Sequence, residues 1–343
     1  MLSDFRILDE ALSKRQCLTC GTARRDRSRT FETLFASDYS LYAHAPGVSA
    51  EEDARQIRYA DWLVRELQEP TALFEAGAGN GSLLRALRAY WNRTKFCGVE
   101  PSPAAALQAR RAGYDVQTGA LQQSDAFEGC ELALAVNVIE HIADPLEFVR
   151  DLGSRAFGQV VIVAPDGGRP WLELLVADHL HSFTADGMRM LFARAGYTVT
   201  KQVQAPAELG SFLMTIGSRD RQAAIEPAPA PALESKSQYL SAWKHLDERL
   251  VERAGGSVVG CFGAGEAAAL LRAYAPAAWS LVSCCYTDAP VEPAFGDIPV
   301  KAYGPETPSL VLLGVRPQSQ KPIADRLSAG GRTCIRWDDL IPQ

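Results

Sequence analysis

The run Leu73-Phe74-Glu75-Ala76-Gly77-Ala78-Gly79-Asn80-Gly81 constrains the fold more than any other stretch of the chain. A strand-like apolar segment leads straight into alternating glycines, which permit a tight turn against which a ligand can lie directly. The next residues, SLLRALRAYW, then open a helix. The same alternation continues through TKFCGVE, PAAALQARRAG, ELALAVNV, PLEFVRDL and QVVIVAPD. Strands that alternate with helices predict an α/β fold, a mostly parallel sheet covered by helices on both faces.

The 343 residues exceed one ordinary domain, and the pattern starts again further on, with SVVGCFGAG, EAAALLRAYA, SLVSCCYTD, SLVLLGV, PIADRLSAG and RTCIRW. These segments predict a second, smaller Rossmann-like unit. Between the two, RQAAIEPAPAPALESK reads as a semi-rigid, extended linker over 221–236. The expected organisation is an N-terminal segment 1–68, a ligand-binding domain 69–220, the linker, and a C-terminal domain 237–343. Leu240, Trp243, Leu246, Leu250 and Val251 recur at helical spacing, so one helix is expected to dock on the C-terminal sheet by that stripe.

Composition removes some classes of function. A formal net charge of -6 offers no broad basic surface for a phosphate backbone, which argues against nucleic acid as the main partner. No apolar run approaches the roughly 18–20 residues that span a bilayer, and MLSDFRILDEALSKRQ lacks the apolar stretch of a signal peptide. No membrane association and a cytoplasmic location are the expectation. The eight cysteines are scattered, several of them in strand-like segments, and no structural disulfide is expected.

The strand Thr94 to Val99 ends in Glu100, followed by Pro101; an acid at that place can accept both ribose hydroxyls of an adenosine group. Gly119-Ala120-Leu121 and Asn137-Val138-Ile139-Glu140-His141 follow near later strand ends, where an open parallel sheet binds ligands. A dinucleotide site prefers a third glycine or alanine farther into the first helix, where Ser82 and Leu83 stand here. In this order the sequence resembles the class I methyltransferases that bind S-adenosylmethionine. EAGAGNG is similar to their first motif, GVEP to their second and NVIEHIADP to the loop after the fourth strand. The resemblance implies that Glu75, Gly77, Ala78, Gly79 and Gly81 face the methionine part of that cofactor and that Glu100 and Pro101 face the ribose. Ala120 and Leu121 would then lie at the adenine, with Asn137, Val138 and His141 on the rim.

Two of five histidines fall in Asp178-His179-Leu180-His181-Ser182-Phe183-Thr184. Methyl transfer is an in-line displacement at a sulfonium, so an acceptor must be aligned and lose a proton, which a neutral imidazole can take near pH 7. Thr184 is also a candidate N-cap for TADGMRMLFARAG. The segment resembles that of sugar C-methyltransferases acting on nucleotide-linked deoxysugars: Asp178-His179 match the family's Glu-His pair and Phe183-Thr184 its Phe-Thr end, while Val176 replaces a tyrosine. That resemblance implies His179 as general base, with His181 next and Asp178 as an orienting acid. It also implies a small, carbohydrate-derived substrate between the two α/β units, methylated on carbon or oxygen. Tyr39, Tyr42 and His44 match a segment that folds over the substrate in that family.

Cys17-Leu-Thr-Cys20-Gly21 is half of a zinc knuckle, and tetrahedral zinc needs two more ligands. The same family carries two such pairs, so the resemblance implies a metal-free remnant, and no metal site is expected. Gly263-Ala264-Gly265-Glu266-Ala267-Ala268, with Asp288 ending the next strand, fits a dinucleotide loop, which leaves an NAD-linked oxidoreductase as an alternative. A catalytically silent binding protein is another. In the sugar C-methyltransferases the corresponding unit closes the substrate cleft instead.

Overall fold

The computed structural model of the protein describes residues 1–8, 10–25, 48–123, 129–219, 233–290 and 292–341. Tyr39, Tyr42 and His44 lie outside the described residues, as do 221–232 of the proline-rich stretch. The contacts divide the chain into two compact units. One comprises 12–173 and 178–231, the other 1–11, 174–177 and 232–343.

The larger unit is built on a seven-stranded sheet. Its parallel strands are β3 (Ala72–Ala76), β4 (Lys95–Glu100), β5 (Asp115–Thr118), β6 (Cys130–Val136) and β7 (Ala156–Pro165). The order is β5-β4-β3-β6-β7, extended by β10 (Phe212–Ser218) and β9 (Thr198–Gln204), both antiparallel to their neighbours. Successive residues of the central strands enter opposite faces: Leu132, Leu134 and Val136 join one apolar layer, and Ala133 and Ala135 the other. Strands buried on both faces therefore read as unbroken apolar runs, which is why periodicity alone did not mark their faces.

Helix α1 (Val48–Glu66) covers the first face with Tyr59, Ala60, Trp62 and Leu63, joined by α2 (Ser82–Arg88) and α3 (Pro103–Arg111). The second face is covered by α4 (Pro145–Ser154) and α5 (Ala185–Arg194). Thr184 caps α5 as expected from the sequence, its Oγ accepting from the Gly187 N–H at 3.0 Å.

A separate three-stranded sheet joins the hairpin β1 (Lys14–Gln16) and β2 (Ala23–Arg25) to β8 (His181–Ser182). The turn of that hairpin is the Cys17–Cys20 segment. The Gly21 N–H closes on the Cys17 carbonyl at 2.9 Å, with Gly21 at φ 72°, a left-handed conformation that glycine adopts without strain. Cys17 is exposed and Cys20 buried, and the Thr184 hydroxyl donates to the Cys20 carbonyl. The hairpin is thereby tied to the segment that carries the two histidines.

The smaller unit holds a six-stranded sheet in the order β13-β14-β12-β11-β15-β16. Its strands are β11 (Val259–Phe262), β12 (Val282–Thr287), β13 (Ala294–Phe295), β14 (Ile298–Ala302), β15 (Leu310–Leu313) and β16 (Thr333–Ile335), all parallel except β13. The stripe expected on one helix belongs to two, α6 (Leu233–Lys244) and α7 (Leu246–Ala254), with the break at His245. Trp243, Leu246 and Leu250 are buried as expected, whereas Leu240 and Val251 sit half-buried at its margins.

The glycine loop of this unit has a packing explanation. A Cβ on Gly263 would lie 2.5 Å from the Gly314 carbonyl oxygen, so glycine lets the ends of β11 and β15 meet. Glu266, which opens α8 (Glu266–Tyr274), is paired with Arg316 at 2.7 Å, and Asp288 with Arg326 at 2.9 Å.

Candidate functional site

The first glycine loop joins β3 to α2 with Gly77, Gly79 and Gly81 at φ 75°, 54° and 79°. A side chain on any of the three would be strained, and a Cβ on Gly77 would stand 2.5 Å from Val138 Cγ2. The loop is therefore pressed against the loop after β6. The Gly77 and Ala78 N–H groups both donate to the Val99 carbonyl, fixing the loop to the end of β4. Asn80 accepts from the Ser82 N–H at 3.1 Å and from its hydroxyl at 2.6 Å, which supplies the cap that Gly81 lacks.

Glu100 stands at the C-terminal end of β4, beside exposed Pro101. Its two carboxylate oxygens accept from Gly79 N–H at 2.9 Å and Ser102 N–H at 2.8 Å. Burial raises its carboxyl above the usual range, and the two N–H donors oppose that rise. The Gly119 N–H bonds to the Glu100 carbonyl, which brings Ala120 and buried Leu121 beside the same strand end.

Glu75 is 2% exposed, and its Oε2 has no hydrogen-bond partner among the described residues. It lines a small cavity with Gln56, Gly77, Ala78, Leu83 and Val136. Burial, reinforced by the Glu100 charge, pushes its carboxyl up to about 8. A raised carboxyl binds more protons folded than unfolded, so this group's contribution is full below the usual carboxylate range and is lost as pH rises through about 8. The expected result is a thermal midpoint that falls more steeply between pH 5.5 and 8.5 in the native protein than in Glu75→Gln. Equal slopes in the two melting series would contradict it.

The loop after β6 begins with Asn137 at φ 55°, a conformation that asparagine tolerates better than most residues. Its Nδ2 donates to Tyr59 Oη at 3.2 Å, so α1 reaches the loop from the covering layer. Arg55 also donates to Tyr59 Oη and lies over the Tyr59 and Phe212 rings. Gln56, Tyr59, Arg55 and Asn80 were not found from the sequence. Around Tyr59 only helical spacing marks the segment, and that signal says core.

His141 ends a short turn (Ile139–His141), and its Nδ1 donates to the Asp178 carbonyl at 2.9 Å, leaving Nε2 as the acceptor. Burial lowers this imidazole to about 4, so it is neutral at pH 7. The His179 ring meets it edge to face, with centroids 4.9 Å apart. The structure thus brings His179 and His141 together and places Asp178 against His141, with its carboxylate 3.7 Å from Nδ1. His179 Nδ1 stands 3.6 Å from Glu173, a residue that sequence reasoning missed. His181 is turned elsewhere: it stacks on Phe183 at 5.3 Å, and its backbone pairs with Arg24 in β2.

Glu140 is buried, with Oε2 lacking a hydrogen-bond partner among the described residues, and burial pushes its carboxyl up to about 7. Burial would lower His179, but Glu173, Glu140 and Asp178 together outweigh it and leave the imidazole above its ordinary range. The cluster is a neutral histidine beside one that accepts a proton readily, in a setting only 12% exposed. Such a pair can take up a proton from a bound molecule.

Residues 51–202 match the family model described as a methyltransferase domain. No curated protein matches the sequence. Among solved structures, the chain is similar to the mitomycin 7-O-methyltransferase MmcR at 18% identity and a TM-score of 0.46, covering 55% of this chain and 60% of that one. It is similar to the magnesium protoporphyrin IX methyltransferase of Synechocystis with bound SAH at 14% identity and a TM-score of 0.41, over 56% of this chain and 94% of that one. A third is the 1,6-didemethyltoxoflavin-N1-methyltransferase of Burkholderia thailandensis at 16% identity and a TM-score of 0.40, over 49% and 80%. The stretch 51–202 that matches the methyltransferase-domain model holds the glycine loop, Glu100 and the facing pair His141 and His179. The cofactor expected from the sequence is S-adenosylmethionine. The residues present suit that cofactor: a glycine cradle that a Cβ would fill, a buried acid with an open oxygen, and a carboxylate at the end of the second strand. Among the described residues no helix is long and apolar enough to cross a membrane.

Proposed function

We propose that the protein methylates a small, polar, carbohydrate-derived acceptor, a sugar or nucleotide-sugar, on carbon or oxygen, with His179 as the general base. The observation that carries this reading is the edge-to-face contact of His179 with His141, on the loop whose Val138 abuts Gly77. It sets the more basic imidazole of the cluster against the loop that packs on the glycine loop.

In this reading Glu75, Gly77, Ala78, Gly79 and Gly81 hold the methionine part of the cofactor, and Glu100 with Pro101 the ribose. Ala120 and Leu121 hold the adenine, while Asn137, Val138 and His141 form the rim. S-adenosylmethionine supplies an activated methyl group on a sulfonium. His179 removes the acceptor proton, either from a carbon alpha to a ketone or from a hydroxyl, as the acceptor atom is held about 3 Å from the methyl carbon. His141, neutral at pH 7, packs against that base without competing for its proton. The C-terminal unit acts as a substrate or packing domain, consistent with a glycine loop explained by strand approach, and the cytoplasm is the proposed location.

The test is a turnover assay with a panel of nucleotide sugars and free sugars, read as conversion of the cofactor to its demethylated product. At least one member with a ketone or free hydroxyl is expected to be methylated in a His179-dependent manner. Turnover confined to acceptors of other chemistry, such as heteroaromatic nitrogens, would overturn the carbohydrate reading.

A further inference from the structure

We infer that Glu173 is the positioning residue for His179, and that Lys14 of the N-terminal hairpin holds Glu173 in place, which makes the hairpin a working part of the acceptor side of the site. The inference rests on the reading of His179 as base and adds two residues to it. Glu173 Oε2 accepts from the Ser182 hydroxyl at 2.8 Å, stands 3.6 Å from His179 Nδ1 and lies 3.9 Å from Lys14 Nζ. Lys14 Nζ donates in turn to Ser182 Oγ at 3.1 Å and to the Glu173 carbonyl at 3.4 Å. The side chains of Lys14 and Glu173 are only 2% and 4% exposed. Two charges are not held out of water in this way unless the surroundings compensate them.

The strand register explains how the lysine gets there. β1 pairs with β2 and β2 with β8, so the hairpin carries Lys14 to Ser182 across a short sheet. The hairpin closed by the Cys17–Cys20 turn is then a clamp for a charged group.

Glu140, His141 and His179 also bring ligand-type atoms within 4.8 Å of one another, a spacing found in proton-sharing clusters and in cation sites alike. The charges present favour the former. Lys14 and a protonated His179 offset Glu173 and Asp178, and burial lets Glu140 keep its proton up to about 7. Burial opposes ionisation of Glu173, but Lys14 and His179 outweigh it and hold that carboxyl below the usual range.

The groups facing His179 are Glu173, Glu140, Asp178 and His141. An ionised Glu173 favours the imidazolium, so removing its charge lowers the His179 pKa. A general base works as the neutral imidazole, and the rising limb of kcat/KM against pH therefore moves to lower pH. For Glu173→Gln we expect that limb to move down by roughly one pH unit and plateau turnover to fall about tenfold or more, with unchanged cofactor affinity. Glu173→Asp is expected to restore part of the turnover. The same downward move should appear in the His179 imidazole titration followed by NMR, which does not depend on turnover. Lys14→Gln is expected to move the limb in the same direction by less.

An imidazole titration unmoved in a folded Glu173→Gln protein, as judged by cofactor binding, would overturn the inference whatever His179 does in turnover. If Glu173→Gln fails to fold, Lys14→Gln decides by the same titration. A moved titration with full turnover in His179→Ala would instead overturn the base reading on which the inference rests. One equivalent of a divalent metal in the purified protein, lost on replacing His179, would overturn both.

Discussion

His179→Ala is expected to lose about 10²–10⁴ in turnover, the usual span for a positioned general base, while binding S-adenosylmethionine as tightly as the native protein. The split follows from position. His179 lies beyond β7 and meets the loop after β6 at Glu140 and His141, whereas the glycine loop and Glu100 belong to β3 and β4. His181→Ala is the internal control. Its ring is stacked on Phe183 within the small sheet, so its loss should lower stability more than turnover. Full turnover in both variants on the true acceptor would sink the histidine reading, and loss of cofactor binding in His179→Ala would show a structural role instead.

Glu100→Ala is expected to weaken S-adenosylmethionine binding roughly ten- to a hundredfold, at one or two kcal/mol per lost hydrogen bond. The carboxylate already accepts from Gly79 and Ser102, so the alanine variant also frees the glycine loop proposed to hold the cofactor. Glu100→Gln separates the two effects: it keeps a side-chain acceptor for one N–H while removing the charge, and should weaken binding less. Unchanged affinity in both variants would place the cofactor elsewhere.

How much of this was readable from the sequence follows from the range of each interaction. The strand–loop–helix units announced themselves because glycine at left-handed φ and an acid at a strand end are local requirements, and Gly77, Gly79 and Glu100 stand where those signals put them. The antiparallel strands β9 and β10 did not, since Thr198–Gln204 is a half-exposed edge with a mixed polar pattern. The histidine segment was legible as a cluster of titratable groups but not as geometry. Asp178 looked like the partner of its neighbour, yet its side chain meets His141, while His179 turns to Glu173, six positions back. Lys14 lies 159 residues from Glu173 in sequence and reaches it only through strand pairing, for which no motif exists. The C-terminal glycine loop matches a nucleotide pattern, and the close approach of Gly263 to Gly314 gives its first glycine a packing reason as well.

The most direct test of the central claim is calorimetric titration of the purified protein with S-adenosylmethionine, its demethylated product and NAD in parallel. One equivalent of S-adenosylmethionine and of the product is expected to bind, with both affinities reduced in Glu100→Ala and no heat from NAD. Saturable NAD binding without any response to S-adenosylmethionine would contradict the assignment and return the chain to the dinucleotide alternative.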